Sequence, residues 1–366
     1  MGEQREIALP PGRPEHFPTR IAPLSTPEVT FKGGMDQAAH SWFRLTYSFS
    51  PHLVAFLIDR LDTRYPHWVL DPFLGAGTTA IECKRRGISV VGIDVNPLFV
   101  KLGRVCTTWT LDVSLIQRQT RQILDQACRW LAEAGDLTVE DFGQQIGAPP
   151  PPMRNLARWW RVDVLKALLA LKRSIRTLAT GVSTREFFEG ALAAILLKVA
   201  NIHRNHPTLT FCDRSGDAID VLGVFEAQVA RMRHELTDLA RLDGKEDCLV
   251  IEGDSTRLGE VLRGYAALAG VRFDRVITSP PYPNRISYVW ETRPHLYFLD
   301  LFQEAWEAGA LDQRTIGGTW GVATSTLLTG EVVPVDVAVA DVIGPLATAI
   351  RERDNLMANY VVKYFN

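Results

Sequence analysis

The sequence has few of the features that mark secreted, metal-bound or membrane proteins. Its five cysteines form no Cys-x-x-Cys pair, which argues against a disulfide framework and a structural zinc site, and we predict no metal site. No run of about 18 apolar residues is present and the first residues form no secretory segment, so we expect a cytoplasmic protein that contacts no membrane. A formal net charge of −2 excludes a uniformly basic surface for indiscriminate nucleic-acid binding. With 366 residues, of which 46% are hydrophobic, the chain is long enough for about two domains.

A glycine loop lies between an apolar strand and a helix in the first third of the chain. The apolar run 68–70 leads into residues 71–80, Asp-Pro-Phe-Leu-Gly-Ala-Gly-Thr-Thr-Ala, and the helix that follows is predicted to end at Gly87. The next apolar run ends in Asp94, 19 positions after Gly75. This spacing suits a carboxylate that bonds the ribose hydroxyls of a cofactor. The same glycines also satisfy the dinucleotide fingerprint, so this segment alone leaves the cofactor open.

A rigid polar and aromatic turn follows a second apolar strand. Residues 273–277 lead into Thr278-Ser279-Pro280-Pro281-Tyr282. Each proline fixes its own φ near about −65° and holds the preceding residue extended, so Ser279 and Tyr282 are presented in one arrangement. An aromatic plane held in this way can stack on a base, while the serine oxygen and a carbonyl can accept hydrogens from an exocyclic amino group. A proline-rich strand end is also common in ordinary loops.

Together, the glycine loop and the Pro-Pro-Tyr turn resemble the S-adenosylmethionine-dependent amino methyltransferases of DNA, which modify N4 of cytosine or N6 of adenine. The resemblance implies a doubly wound, Rossmann-like α/β sheet, S-adenosylmethionine as the cofactor, and duplex DNA with a flipped target base as the partner. It implies a catalytic loop of Ser279, Pro280, Pro281 and Tyr282. The cofactor-binding residues that it implies in the first half are Asp71, Pro72, Phe73, Gly75, Gly77, Thr78, Asp94 and Asn96.

Two further segments resemble cofactor-binding regions of the same family. Phe49 and Ser50 resemble an N-terminal segment in which an aromatic residue and a Ser-Pro helix start lie against the methionine end of the cofactor. Residues 250–255 resemble the third strand, whose terminal acid, here Asp254, faces the adenine. Serine at the first catalytic position resembles the cytosine-N4 branch more than the adenine-N6 branch.

We expect four regions along the chain. These are a proline-bearing lead (1–30), the first half of the cofactor domain (31–106), a mainly helical insert that takes part in target recognition (107–246), and the second half of the catalytic domain (247–366). Strands three and four are predicted at 248–251 and 272–277. Ligands of doubly wound sheets bind outside the carboxyl ends of the strands, where the two motifs and both acids are expected to converge.

Basic residues predict DNA contacts in two places. Between 152 and 177, cations interleave with apolar residues at helical spacing, so one face of a helix packs inward and the basic side chains form either a solvated face or a phosphate-contacting surface. A polar stretch around 201–207 predicts a loop, which either lies near DNA or is an ordinary surface loop. The nucleic-acid-binding residues that we predict are Arg158, Arg161, Arg204, Asn284 and Arg285.

The end of the chain departs from the family pattern. Family members continue past the helix after the fourth strand into a fifth strand and an antiparallel hairpin, whereas residues 360–366 are predicted to end the chain within or just after that helix. We therefore expect a sheet that lacks its closing strands. Either the polypeptide is truncated, or a second chain or a further copy of this chain completes the sheet, or the sheet is closed in an unusual way. A cognate restriction nuclease is a further possible partner.

Four alternatives share part of the pattern. An RNA methyltransferase of the guanine-N2 type would carry a similar loop and turn. A non-catalytic or incomplete nucleic-acid-binding subunit that needs a second chain would keep the fold without the activity. A nicotinamide oxidoreductase fits Gly75, Gly77 and Asp94 but leaves the Pro-Pro-Tyr turn unexplained. A cofactor-free α/β protein would require two coincidental motif matches.

Overall fold

Four parallel strands form one sheet in a computed structural model, which describes residues 34, 36–43, 48–203, 209–242, 244, 246–282, 287–316, 332 and 337–365. The strands lie in the order β3-β2-β1-β4. Their bounds are β1 (Trp68–Asp71), β2 (Ser89–Asp94), β3 (Cys248–Glu252) and β4 (Arg275–Val276). The fourth strand is shorter than predicted, although Asp274 and Ile277 still donate backbone hydrogen bonds to β1 at 2.9 and 3.1 Å. The expected parallel α/β sheet is confirmed.

Helices cover both faces of this sheet, as a doubly wound fold requires. Successive side chains of a strand point to opposite faces, so Val69 and Val90 pack on one side while Leu70 and Val91 pack on the other. The first side is covered by α1 (Pro51–Arg60), α2 (Thr78–Arg85) and α3 (Pro97–Thr107). The second side is covered by α10 (Leu258–Arg263) and the residues that follow it. The central strands β1 and β2 are consequently buried between two layers, whereas Val276 of the edge strand β4 is 58% exposed.

The residues between α3 and β3 are mostly helical. They form α4 (Val113–Glu133), α5 (Val139–Ile146), α6 (Leu156–Trp159), α7 (Val162–Leu178), α8 (Val182–Leu196) and α9 (Val221–Leu239). The four prolines at 149–152 lie in the break between α5 and α6. These helices share one apolar core with α3, so the helical body packs on that side of the sheet. The helices expected here are present, while the boundaries of the four predicted regions stay a prediction.

Only helices follow β4 in the part of the chain that the structure describes. They are α11 (Tyr288–Phe298), α12 (Glu307–Arg314), α13 (Val337–Arg351) and α14 (Asn355–Phe365). The expectation that the chain ends within or just after the helix that follows the fourth strand is wrong. That helix, α11, stops at Phe298, near Asp300, whose backbone is left-handed (φ 55°), and three more described helices come after it.

A membrane crossing needs a long apolar helix, and none of the helices described above combines that length with that composition.

Candidate active site at the carboxyl ends of the strands

An open cavity lies where the four strands end. Its wall consists of the loops after each strand, the segment before α1, one side of α11, and the end of α12. Most of the predicted cofactor-binding and catalytic residues line it, namely Phe49, Pro72, Phe73, Gly75, Thr78, Asp94, Asn96, Asp254, Ser279, Pro280, Pro281 and Tyr282. Segments that are far apart in the sequence therefore meet at one rim, where the strand pattern predicts a ligand.

Two glycines determine the backbone conformation of the loop after β1. Gly75 and Gly77 adopt left-handed backbones with φ of 51° and 87°, which residues with a Cβ rarely adopt. Gly77 begins α2 and does not line the cavity, and a Cβ on it would lie 3.5 Å from the Cα of Gly103. Gly77 thus turns the chain into α2 close to α3, and its predicted contact with the cofactor stays a prediction.

Asp94 connects the glycine loop to the end of β2. Its carboxylate accepts one hydrogen bond from the N–H of Gly75 at 2.9 Å and another from the N–H of Asn96 at 2.8 Å. Desolvation raises the pKa of Asp94 to about 6, against the opposing effect of these two N–H groups. The carboxylate also lines the cavity, so it is placed to accept from a ligand hydroxyl.

Asp71 lies behind the cavity wall. Its side chain is fully buried, and Oδ1 accepts from the N–H of Phe73 at 3.1 Å and from the hydroxyl of Thr278 at 2.6 Å. Burial raises the pKa of Asp71 above its usual value. Asp71 joins the loop after β1 to the turn after β4 and does not line the cavity, and its predicted contact with the cofactor stays a prediction.

The segment before α1 contributes a different serine from the one predicted. Ser50 is fully buried, and its hydroxyl caps α1 by accepting from the N–H of His52 at 3.2 Å. It does not line the cavity, and its predicted contact with the cofactor stays a prediction. Ser48 lines the cavity instead, and its buried hydroxyl has no hydrogen-bond partner among the residues that the structure describes. No motif points to Ser48.

Asn96 both lines the cavity and holds two helices together. Its side-chain oxygen caps α3 by accepting from the N–H of Leu98 at 3.0 Å. Its side-chain nitrogen donates to the hydroxyl of Thr292 on α11 at 3.1 Å. Two of the four hydrogen bonds that its side chain can make are thereby committed within the protein.

The turn after β4 is held at both ends. The hydroxyl of Thr278 bonds Asp71, and the N–H of Tyr282 donates to the hydroxyl of Tyr288 at 3.1 Å. Burial raises the pKa of Tyr288 to about 12, so its hydroxyl is protonated at neutral pH. The ring of Tyr282 is 42% exposed at the cavity, which leaves a face for a planar ligand.

The wall also contains residues that the motifs do not predict. Tyr288, Glu291 and Thr292 recur at helical spacing on one side of α11 and face the cavity. That spacing, just after the Pro-Pro-Tyr turn, is a signal that could have found them. The wall residues Arg314, Thr315 and Ile316 at the end of α12 have no such signal in the sequence.

The predicted nucleic-acid contacts have different outcomes. Arg158 is exposed, and its guanidinium lies 4.0 Å from the centroid of the Phe211 ring. Arg161 is committed within the protein, because it bonds the carboxylate of Asp163 at 3.0 Å and the carbonyl of Asp217 at 2.6 Å. Its predicted contact with nucleic acid stays a prediction. Arg204, Asn284 and Arg285 lie outside the described residues.

Three basic residues of α7 bond groups within the protein. Lys172 is 3% exposed and its ammonium bonds Asp300 at 2.7 Å, while Arg176 pairs with the same carboxylate. Lys166 is buried and donates to the carbonyl of Gly135 at 3.3 Å. Desolvation lowers the pKa of Lys172 despite the attraction of Asp300. Lys172 and Arg176 thus tie the helical body to Asp300, two residues after the end of α11.

Changing Asp300 to asparagine is expected to lower the free energy of unfolding by about 2 kcal/mol, because the buried charge of Lys172 would lose the carboxylate that it pairs with. The partial exposure of Asp300 keeps this loss below that of a fully buried pair. Asparagine retains the left-handed backbone. The matched control is Asp62→Asn, at another left-handed residue whose partner Arg64 is exposed. Urea denaturation that gave equal midpoints for the two variants would contradict the structural role of this pair.

The comparisons with known proteins agree with this site. Residues 30–104, which carry the glycine loop and Asp94, match the DNA methylase family of the N6/N4 type. The Type II methyltransferase M.BsoBI of Geobacillus stearothermophilus is 39% identical over 19% of this chain and 14% of its own length. M.AvaI of Nostoc is 33% identical over 27% of this chain and 19% of its own length. M.MvaI of Kocuria varians is 23% identical over 68% of this chain and 54% of its own length. No solved structure matches the chain.

The matched regions thus span at most about half the length of these relatives, since they cover from 14% to 54% of them. The match to the family model falls on the first half of the sheet, and the longest of the three alignments covers 68% of this chain. Over these stretches the chain is similar to Type II methyltransferases, and its residues 30–104 match the DNA methylase family of the N6/N4 type.

Proposed function

We propose that this chain transfers a methyl group from S-adenosylmethionine to the exocyclic amino group of a base flipped out of duplex DNA. Cytosine N4 is the first choice of target and adenine N6 the second, because serine leads the catalytic turn. One observation carries the proposal: the glycine loop, Asp94, Asp254 and the turn 279–282 line a single cavity.

The residues of the wall suit S-adenosylmethionine. Asp94 offers carboxylate lone pairs to ribose hydroxyls, and Asp254, at the end of β3, stands where the family's adenine-facing acid is expected. Phe49, Phe73 and Phe99 supply apolar surface, while the hydroxyl of Ser48 lacks a partner among the described residues. When bound, this cofactor supplies a methyl group that is already activated on a sulfonium. The protein then needs no covalent nucleophile of its own.

The turn after β4 would prepare the acceptor nitrogen. The lone pair of an exocyclic amine is delocalised into the base, so the nitrogen is a poor nucleophile until its hydrogens are accepted. We assign that acceptance to the hydroxyl of Ser279 and the carbonyl of Pro280, with no proline N–H competing for them. Tyr282, whose ring is partly exposed, would stack on the flipped base.

The direct test is transfer of labelled methyl from S-adenosylmethionine to unmodified duplex DNA, with RNA in parallel and the products digested to nucleosides for mass analysis. N4-methylcytosine or N6-methyladenine would support the proposal and identify the base. Methylated guanosine from RNA would instead support the RNA enzyme. Cofactor binding without transfer would favour an incomplete subunit, and the proposed partner of such a subunit is a second chain that completes the sheet. A cognate restriction nuclease is also proposed as a partner.

Cofactor affinity is expected to depend on pH through Asp94. Its pKa of about 6 means that the carboxylate takes up a proton as the pH falls through this value, and a protonated group accepts ribose hydroxyls less well. We expect the Kd for S-adenosylmethionine to rise about tenfold between about pH 7 and pH 5. Isothermal titration across this range is the measurement. The Asp94→Asn variant should bind weakly at all these pH values, and a pH dependence retained in that variant would assign the titration to another group.

A further inference from the structure

One peptide group in the turn after β4 is held on both sides by tyrosine hydroxyls. The hydroxyl of Tyr364 donates to the carbonyl of Pro281, and the N–H of Tyr282 donates to the hydroxyl of Tyr288 at 3.1 Å. This carbonyl and this N–H belong to the same planar unit, the peptide bond between Pro281 and Tyr282. Two helices, α11 and α14, therefore fix one peptide plane at both of its polar atoms.

The composition of the turn gives these two bonds particular weight. Neither Pro280 nor Pro281 has an N–H, so the middle of the turn can be anchored only through its carbonyls. Upstream, the first residue of the turn, Thr278, is held by the hydrogen bond that its hydroxyl donates to Asp71. Downstream, the Pro281–Tyr282 peptide sets the direction in which the side chain of Tyr282 leaves the backbone. Fixing this plane thus restricts the positions open to the ring that is proposed to stack on the base.

Tyr364 is presented by a packed pair of helices. Val361 and Val362 of α14 pack against Ile343 and Ala347 of α13 in a separate apolar cluster. Between the two helices, the fully buried Asn359 accepts from the guanidinium of Arg351 at 3.2 Å. The hydroxyl of Tyr364 therefore reaches the turn from an element with a core of its own.

We propose that Tyr288 and Tyr364 are positioning residues for methyl transfer, which clamp the Pro281–Tyr282 peptide so that Tyr282 receives the flipped base. The inference rests on the proposed function. It assigns to α14, which contributes nothing to the cavity wall, a role in the reaction that takes place there. Tyr288 differs from Tyr364 in lining the cavity as well as holding the turn.

The clamp is tested by removing one hydroxyl at a time, in the variants Tyr288→Phe and Tyr364→Phe. The control is Tyr265→Phe, at a tyrosine that is 40% exposed and lies outside the cavity wall. The first readout is hydrogen exchange of the Tyr282 amide, in the full chain without ligands. Both clamp variants are expected to speed this exchange by about five- to tenfold, the effect of losing roughly one hydrogen bond, while the control leaves it unchanged. Unchanged exchange in both clamp variants would overturn the inference.

The second readout separates positioning from folding. We expect turnover on DNA to fall by about tenfold in Tyr364→Phe, with the Kd for S-adenosylmethionine within about twofold and the midpoint of urea denaturation unchanged. Full turnover in this variant, or a loss of turnover that only follows a loss of stability, would contradict the positioning role. If the unaltered chain methylates no DNA, the proposed function fails, while the exchange of the Tyr282 amide still decides whether the clamp exists.

Discussion

Replacing Ser279 with alanine is expected to slow methyl transfer by about a hundredfold while the Kd for S-adenosylmethionine changes by less than about threefold. Ser279 lines the cavity from the turn after β4, whereas Gly75 belongs to the loop after β1. The alanine variant removes the oxygen that is proposed to accept a hydrogen from the exocyclic amine. Single-turnover transfer of labelled methyl, together with a cofactor titration, gives the two quantities separately.

The matched control for this variant is Ser183→Ala, at an exposed serine of α8. It should leave both the rate and the Kd unchanged. If Ser279→Ala turned over at the rate of the unaltered chain, Ser279 would lose its proposed role, and the carbonyl of Pro280 would remain the acceptor to test.

Replacing Asp71 with alanine is expected to have the second large effect, because it affects both halves of the site at once. The N–H of Phe73 and the hydroxyl of Thr278 would lose their shared acceptor, and the free energy of unfolding should fall by about 3 kcal/mol. Cofactor affinity and turnover should both fall, since the loops after β1 and β4 would no longer be joined. Urea denaturation and cofactor titration measure these losses.

The Asp71→Asn variant distinguishes the shape of this residue from its charge. Asparagine keeps an oxygen acceptor at the same position and removes a carboxylate whose ionisation burial already disfavours. We expect its stability to lie within about 1 kcal/mol of the unaltered chain. A loss as large as that of the alanine variant would show that the negative charge, rather than the acceptor, is what the site requires.

Features that depend on nearby residues were predictable from the sequence. The left-handed Gly87, with φ of 64°, ends α2 and donates to the carbonyl of Lys84 at 3.1 Å, as its place after a helical run predicts. The acid at the end of β2 lies beside Gly75, because parallel neighbouring strands end at the same edge of the sheet. Strand pattern and loop chemistry agree at these positions, so the site could be placed before its geometry was known.

Features that depend on distant partners could not be predicted in this way. The basic residues of α7 suggested a nucleic-acid surface, whereas Lys172 pairs with Asp300, 128 positions later. Asp71 matches a motif of the cofactor loop, but its bond to Thr278, 207 positions away, places it behind the wall. Helical periodicity identifies which side of a helix is apolar. It does not identify which carboxylate will neutralise a lysine on that helix.

The hydrogen bonds of Asp71 have a consequence for the order in which ligands bind. One carboxylate connects the loop proposed to carry the cofactor with the turn proposed to carry the base, so a ligand that tightens one segment changes the free energy of ordering the other. Such coupling is reciprocal: the factor by which cofactor raises the affinity for DNA equals the factor by which DNA raises the affinity for cofactor. Cooperativity between the two proposed substrates would then run through a buried side chain outside the cavity wall.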